Sequence, residues 1–147
     1  MTSCLNRAAI VAEARSWIGT RYRHQGSLKG VGCDCLGLVR GVWRNCIGEE
    51  PEAPPPYAPD WAEAQGEETL AQAAARYLLR IMPDEIGAGD VLLFRWREGF
   101  VAKHVAIATG EGTMIHAHDG AAVCEVALSP WWRRHLAHAF RFPGVAE

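Results

Sequence analysis

No run of apolar residues in this 147-residue chain approaches the roughly 20 that a membrane helix needs, so no membrane partner is expected. Basic charge is not in surplus either: 15 lysines and arginines stand against 17 aspartates and glutamates, a formal net charge of −2. A nucleic-acid module normally shows a basic face, so nucleic acid is also not expected as a partner. The stretch Met1-Thr2-Ser3-Cys4-Leu5-Asn6-Arg7 lacks a basic segment followed by an apolar core, so no secretory signal is read and synthesis in the cytoplasm is the expectation. Five cysteines in such a product are expected to be reduced thiols rather than a disulfide scaffold. Cys33-x-Cys35 is too short for a zinc knuckle, no second cysteine pair follows, and no His-x-x-x-His spacing occurs. No internal repeat is visible, and 49% apolar with 22% charged residues is ordinary for a globular protein, so one domain over 1–147 is expected.

What the chain does have is one stretch around which the rest can be arranged, Gly32-Cys33-Asp34-Cys35-Leu36-Gly37-Leu38-Val39. A glycine-rich approach from Gly26 leads into it. Beyond it Cys35, Leu38, Val39, Val42, Trp43 and Cys46 recur at steps of three and four, the one-sided pattern of a helix on a core, with Gly48 as its stop. Asp34 is the candidate N-cap, which puts Cys35 in the first turn. A thiol there meets unpaired backbone N–H groups and the positive end of the helix dipole, both favouring thiolate.

Upstream, residues 7–18 read as an amphipathic helix with Ile10, Val11, Ala14, Trp17 and Ile18 on one face. Residues 49–66 are acidic and proline-rich and read as an extended surface excursion within the domain. The spacing of Leu70, Ala74, Tyr77, Leu78 and Ile81 predicts a helix over 68–81. From Gly87 the pattern becomes strands: Val91–Trp96, Lys103–Thr109, Met114–His118 and a last one within Ala137–Phe142. Helices first and an antiparallel meander after them imply an α+β fold with the helices on one face of the sheet.

Strand parity carries the chemistry. Alternation assigns Val105, Ile107, Ile115 and Ala117 to the core face, and His104, Ala106, Ala108, Met114, His116 and His118 to the other. An odd-length loop brings the histidines of both strands to the same side. Nucleophilic catalysis by cysteine needs a thiolate, a neighbouring imidazole that can take the thiol proton, and a third polar group that orients the imidazole. Cys35, His104, and either His116 or His118 supply that trio, and the backbone N–H of Cys35 is the natural oxyanion donor. The same residue types permit a metal site from Cys33 or Cys35 with the three histidines, but no ligand spacing supports one.

Trp17-Ile18-Gly19-Thr20-Arg21-Tyr22, Asp34-Cys35-Leu36-Gly37-Leu38, Gly89-Asp90-Val91-Leu92-Leu93-Phe94, His104-Val105-Ala106-Ile107 and Ile115-His116-Ala117 occur in the order found in a known family. The chain resembles the NlpC-type cell-wall peptidases, papain-like cysteine enzymes that cut peptidoglycan stem peptides. The resemblance implies a papain-like fold with Cys35 as nucleophile, His104 as base, His116 as the residue that orients it, and no metal or other cofactor. It also implies that Tyr22 assists the oxyanion site, with Asp34 beside it, and gives Cys33 and His118 no catalytic position. Leu36 stands where many members have serine, Arg21 where many have proline, and Lys103 where glycine often precedes the base; none of these removes a catalytic group.

The Pro-Tyr-Ala-Pro-Asp-Trp excursion, Asp-Cys-Leu-Gly-Leu-Val-Arg-Gly-Val-Trp and the Trp131-Trp132-Arg133-Arg134 segment are closer still to one branch, the peptidases of phage tail gene clusters and phage-like gene transfer agents. That resemblance implies cleavage between γ-D-glutamyl and diaminopimelate, carriage on a phage-like particle, and tail or baseplate hub proteins as partners, with the excursion as a docking segment. The competing expectations are a tail-hub protein that keeps the fold without turnover, and an amidase or acyl hydrolase working through the same trio.

Overall fold

Asn6 starts the first helix: its side chain accepts from the Ala9 N–H at 2.8 Å, satisfying a backbone donor that the first turn leaves open. In the computed structural model, which describes residues 6–51, 69–97, 101–118 and 120–145, helix α1 spans Arg7–Arg15 and buries Ile10, Val11 and Ala14. It stops before the sequence reading did. Trp17 lies in the turn beyond it, fully buried, its Nε1 donating to Glu13 at 3.0 Å.

A two-strand hairpin, β1 (Ser27–Leu28) and β2 (Gly32–Cys33), carries the glycines into helix α2, Cys35–Cys46. The apolar stripe of α2 does what its spacing predicts. Leu38, Val39, Val42 and Cys46 are buried, and Cys35 and Trp43 pack at the margin of the same cluster. Each fully buried Leu or Val of this kind contributes roughly 1.5–3 kcal/mol before entropy is counted. Gly41 is required by close approach, since a Cβ there would run into the Trp17 indole. Of the excursion read at 49–66, only residues 49–51 are described. Glu50 is clasped to α2 by Arg40 (2.7 Å) and Arg44 (3.1 Å).

Helix α3 covers Thr69–Tyr77, not 68–81. Residues Leu79–Ile81 instead form strand β3, which pairs antiparallel with the last strand through Leu79↔Arg141, Arg80↔Phe140 and Ile81↔Ala139. A short 3-10 turn at Pro83–Glu85 leads on to β4 (Val91–Phe94), β5 (His104–Ala108), β6 (Thr113–His116) and β7 (Cys124–Ala127). Helix α4 (Pro130–Arg134) and strand β8 (Leu136–Arg141) complete the described elements. The six strands form one sheet in the order β3-β8-β4-β5-β6-β7, every neighbouring pair antiparallel.

The architecture is α+β, as expected. Val91, Leu93, Val105, Ile107, Ile115 and Phe140 of the sheet form one cluster with Ile10, Ala14 and Trp17, the α2 stripe, and Leu70 and Ala71 of α3. Leu92, Phe94, Ala106, Ala108, Met114 and Ala139 form a second cluster on the other face, with Trp132 of α4 packed against it. The corner where α1 meets the sheet is tied by buried Asp90. Its carboxylate accepts twice from Arg141 at 2.9 Å and once from the Gly87 N–H at 2.8 Å, and lies 3.4 Å from Arg7. Among the described residues no helix is long and apolar enough to cross a membrane.

Candidate active site

Asp34 fixes the start of α2. One carboxylate oxygen accepts from the Gly37 N–H and the other from the Gln25 N–H, both at 2.7 Å, and the group is 2% exposed. Gln25 takes a left-handed backbone (φ 65°) to make that contact. Gly37 has no room for a side chain, because a Cβ would meet the Gly26 carbonyl oxygen, and Ser27 Oγ donates to the Gly37 carbonyl at 2.7 Å. The loop, the hairpin and the first turn of α2 are thereby locked together. Tyr22 joins them through a backbone bridge to Cys33, and its ring packs against the first core cluster.

Cys35 follows Asp34 as the first helical residue. The backbone N–H groups of Val105, Leu36 and Cys35 itself lie around its sulfur, so it sits against the residue after His104. These donors favour thiolate, as the sequence suggests. The balance nevertheless falls the other way. Enclosure of the sulfur, and secondarily the Asp34 carboxylate beside it, push the thiol up to about 12. The helix-start donors and the enclosure of the sulfur thus act in opposite directions on the thiol.

The hairpin of β5 and β6 pairs Ile107 with Ile115 and Ala108 with Met114, leaving five residues between the last paired positions. This odd count puts His104 and His116 on the same face, opposite Val105, Ile107 and Ile115. His104 Nε2 and His116 Nδ1 are 2.8 Å apart, with both residues 3–4% exposed. Because Nε2 is engaged with His116, Nδ1 is the nitrogen left to serve the Cys35 side. Burial, and then the neighbouring His116 and His118, hold His104 well below the ordinary imidazole range. Burial and His118 bring His116 down to about 4.

His118 is exposed, lying over His116 with ring centroids 5.6 Å apart and edge-on to His104 at 5.7 Å. Cys33 is fully buried in the first core cluster. Among the described residues no group of three or more His, Cys, Asp or Glu side chains is arranged to hold a metal ion. Sequence reasoning missed the indoles of Trp96 and Trp132, which lie 5.3 and 5.7 Å from the His104 ring. The signal for the second was present, since Ser129-Pro130 is a helix start and places Trp132 in a helix.

Residues 19–141 match the NlpC/P60 family. The chain belongs to the NlpC/P60 family. It is similar to the Murein DD-endopeptidase MepS/Murein LD-carboxypeptidase of Escherichia coli (strain K12), 29% identical over 92% of this chain and 62% of that protein. It is also similar to the Gamma-DL-glutamyl hydrolase of Bacillus subtilis (strain 168), 30% identical over 92% of this chain and 29% of that protein. The chain therefore spans less than two thirds of the length of these curated relatives. Among solved structures, the NlpC/p60 domain of the peptidoglycan hydrolase SagA aligns with a TM-score of 0.66 at 29% identity, covering 93% of this chain and 99% of that one. An NlpC/P60 family protein of Bacillus cereus ATCC 10987 aligns with a TM-score of 0.68 at 21% identity over 92% of this chain and 40% of that one, a likeness of fold. The NlpC/P60 fold is thus common to all three.

Proposed function

We propose that this NlpC/P60 chain is a cysteine peptidase that cuts peptidoglycan stem peptides, with Cys35 as nucleophile, His104 as base and His116 as the residue that orients the base. The observation that carries the reading is the buried 2.8 Å bond between His104 and His116, with a helix-start cysteine whose sulfur lies near the backbone N–H of Val105, the residue after His104. As Cys35 Sγ attacks the scissile carbonyl, its proton passes to His104 Nδ1, and His104 later gives it to the leaving amine. The carbonyl oxygen becomes an oxyanion that the Cys35 N–H stabilises, with Tyr22 on that side; donors of this kind are worth roughly 10²–10³ in rate. Asp34 contributes by holding the helix start.

The bond cleaved is γ-D-glutamyl–diaminopimelate; a relative named Gamma-DL-glutamyl hydrolase supports a γ-glutamyl preference. Carriage on a phage-like tail, docked to hub proteins through the segment at 49–66, completes the proposal and rests on the sequence resemblance. Digestion of purified murein by wild type and Cys35→Ala, followed by mass analysis of the fragments, tests the activity. Wild type is expected to release fragments beginning with diaminopimelate and Cys35→Ala none. Fragments from a D-alanyl cleavage would move the bond to the one named for the Escherichia coli relative, and no release by wild type leaves the non-turnover reading. Detection of the chain in purified phage-like particles tests the carriage.

A further inference from the structure

Strand β4 runs out at Phe94, and two residues later Trp96 lays its ring nearly parallel to the His104 imidazole, 27° apart in plane with centroids at 5.3 Å. From a different element, α4, Trp132 approaches the same imidazole at 5.7 Å and 30°. The two indoles are 6.0 Å from each other, so both cover the same side of the ring. Trp132 also stands edge-on to His116 at 5.4 Å and 87°, which places it over both partners of the Nε2–Nδ1 bond. It is held there from behind by an edge contact with Phe94 at 4.9 Å and by the second core cluster. Its neighbour Trp131 is 44% exposed and stacks on His135, so the two adjacent indoles occupy different settings.

We infer that Trp132, with Trp96 beside it, is a positioning residue of the site: the indoles cap the His104–His116 hydrogen bond and hold the imidazole so that Nδ1 faces Cys35. The inference rests on the proposed peptidase reading and extends it to residues that contact neither thiol nor scissile bond. Two physical effects follow from the contacts. Indole surface keeps water off the bond, which strengthens it in a low local dielectric. When the Cys35 Sγ proton moves to His104 Nδ1, the imidazolium formed lies within about 6 Å of two indoles, the range in which a ring face attracts a cation. The cap therefore disfavours a charge that arrives from solvent, with no thiolate to balance it, and tolerates one produced by the attacking thiol. The titratable groups facing His104 are His116 from β6 and His118 just after β6, with Cys35 of α2 lying against the backbone of the next residue, Val105; α4 presents the indole, with His135 behind Trp131.

Three substitutions separate aromatic capping from bulk: Trp132→Phe, Trp132→Leu and Trp132→Ala, each checked for native circular dichroism. Two readouts are taken, the NMR titration of the His104 ring without substrate, and kcat and KM on murein fragments. Trp132→Ala, which admits water, is expected to raise the His104 titration midpoint by about one unit or more, whereas Trp132→Leu, which keeps apolar bulk but loses the ring face, is expected to lower it; both are expected to lower kcat about tenfold, with KM within about twofold. Trp132→Phe is expected to recover at least half of both changes. If Leu serves as well as Phe, if the titration of His104 stays where it is in wild type, or if KM changes and kcat does not, the assignment is overturned. Should Trp132→Ala fail to fold, the Phe and Leu pair still decides. The titration needs no turnover, so a wild type that cleaves no murein would sink the peptidase reading while the cap is judged separately on the His104 midpoint.

Discussion

Strands β4, β5 and β6 serve two very different neighbourhoods with alternate residues. Toward α1, α2 and α3 they present Val91, Leu93, Val105, Ile107 and Ile115, a dry hydrocarbon face joined by Phe140 of β8. Toward α4 they present Leu92, Phe94, Ala106, Ala108 and Met114, and on the same side His104 and His116. The second face is built from smaller residues, is covered by indoles rather than by long helices, and carries the titratable groups. Period-two geometry thus separates stability from chemistry within a single set of strands. Substitutions on one face should leave the other's property largely intact.

The largest expected effect that would break this separation is on the chemical face. His104→Ala should lower kcat on murein fragments by on the order of 10⁴-fold, about 5 kcal/mol of barrier, while the urea midpoint changes far less. A matching loss of stability would show the histidine to be mainly a core residue. On the hydrocarbon face, Phe140→Ala should cost about 3–5 kcal/mol in chemical denaturation, with kcat per folded molecule preserved. A selective loss of kcat there would refute the division.

Next in size is acid lability. His116, brought down to about 4 by burial and His118, is neutral in the fold but takes a proton near 6.5 when unfolded. The unfolded chain therefore binds more protons between those values, and stability falls as pH drops from about 6.5 to 4, by roughly 2–3 kcal/mol from this group. His116→Asn should flatten that limb in denaturation curves measured across the range. Cys35 acts with the opposite dependence. Its thiol is raised in the fold, so stability is present below about pH 9 and lost as pH rises toward 12. Cys35→Ser should soften the alkaline limb. The smallest effect sharpens the comparison most: His116→Asn should cost only about tenfold in kcat, because an amide can still engage His104 Nε2, whereas His116→Ala should cost about 10².

Much of this was legible because the relevant signals are periodic. The α2 stripe is a period of 3.6 read directly from Cys35 to Cys46, and the histidine placement is a period of two read across a hairpin. Strand β3 was not legible, because Leu70, Ala74, Tyr77, Leu78 and Ile81 keep a helical period through residues that β8 recruits as an edge partner. Pairing with a strand some 60 residues away outweighs local preference there. Strand β7 escaped for the opposite reason. It is an edge strand, half-buried along most of its length, and its sequence lacks strong alternation. A helix start announces its N–H donors in sequence, whereas the enclosure that pushes the Cys35 thiol up is a property of the assembled site. Trp96 left no spacing to read as a neighbour of His104, and the helix start at Ser129-Pro130 places Trp132 in a helix without saying which strand residue that helix covers.

The donor and acceptor of the proposed proton transfer lie far apart along the chain, Cys35 at the start of α2 and His104 at the start of β5, with the orienting His116 later still. During synthesis the thiol therefore leaves the ribosome long before its base, and the base before its cap on α4. A partial translation product carries that thiol with no base beside it to take its proton. The proposed trio comes together only once β5 and β6 have paired and the sheet has packed on α2, so any hydrolytic capacity awaits the folded sheet. Premature termination anywhere before residue 104 would leave an inert fragment instead of an unregulated hydrolase.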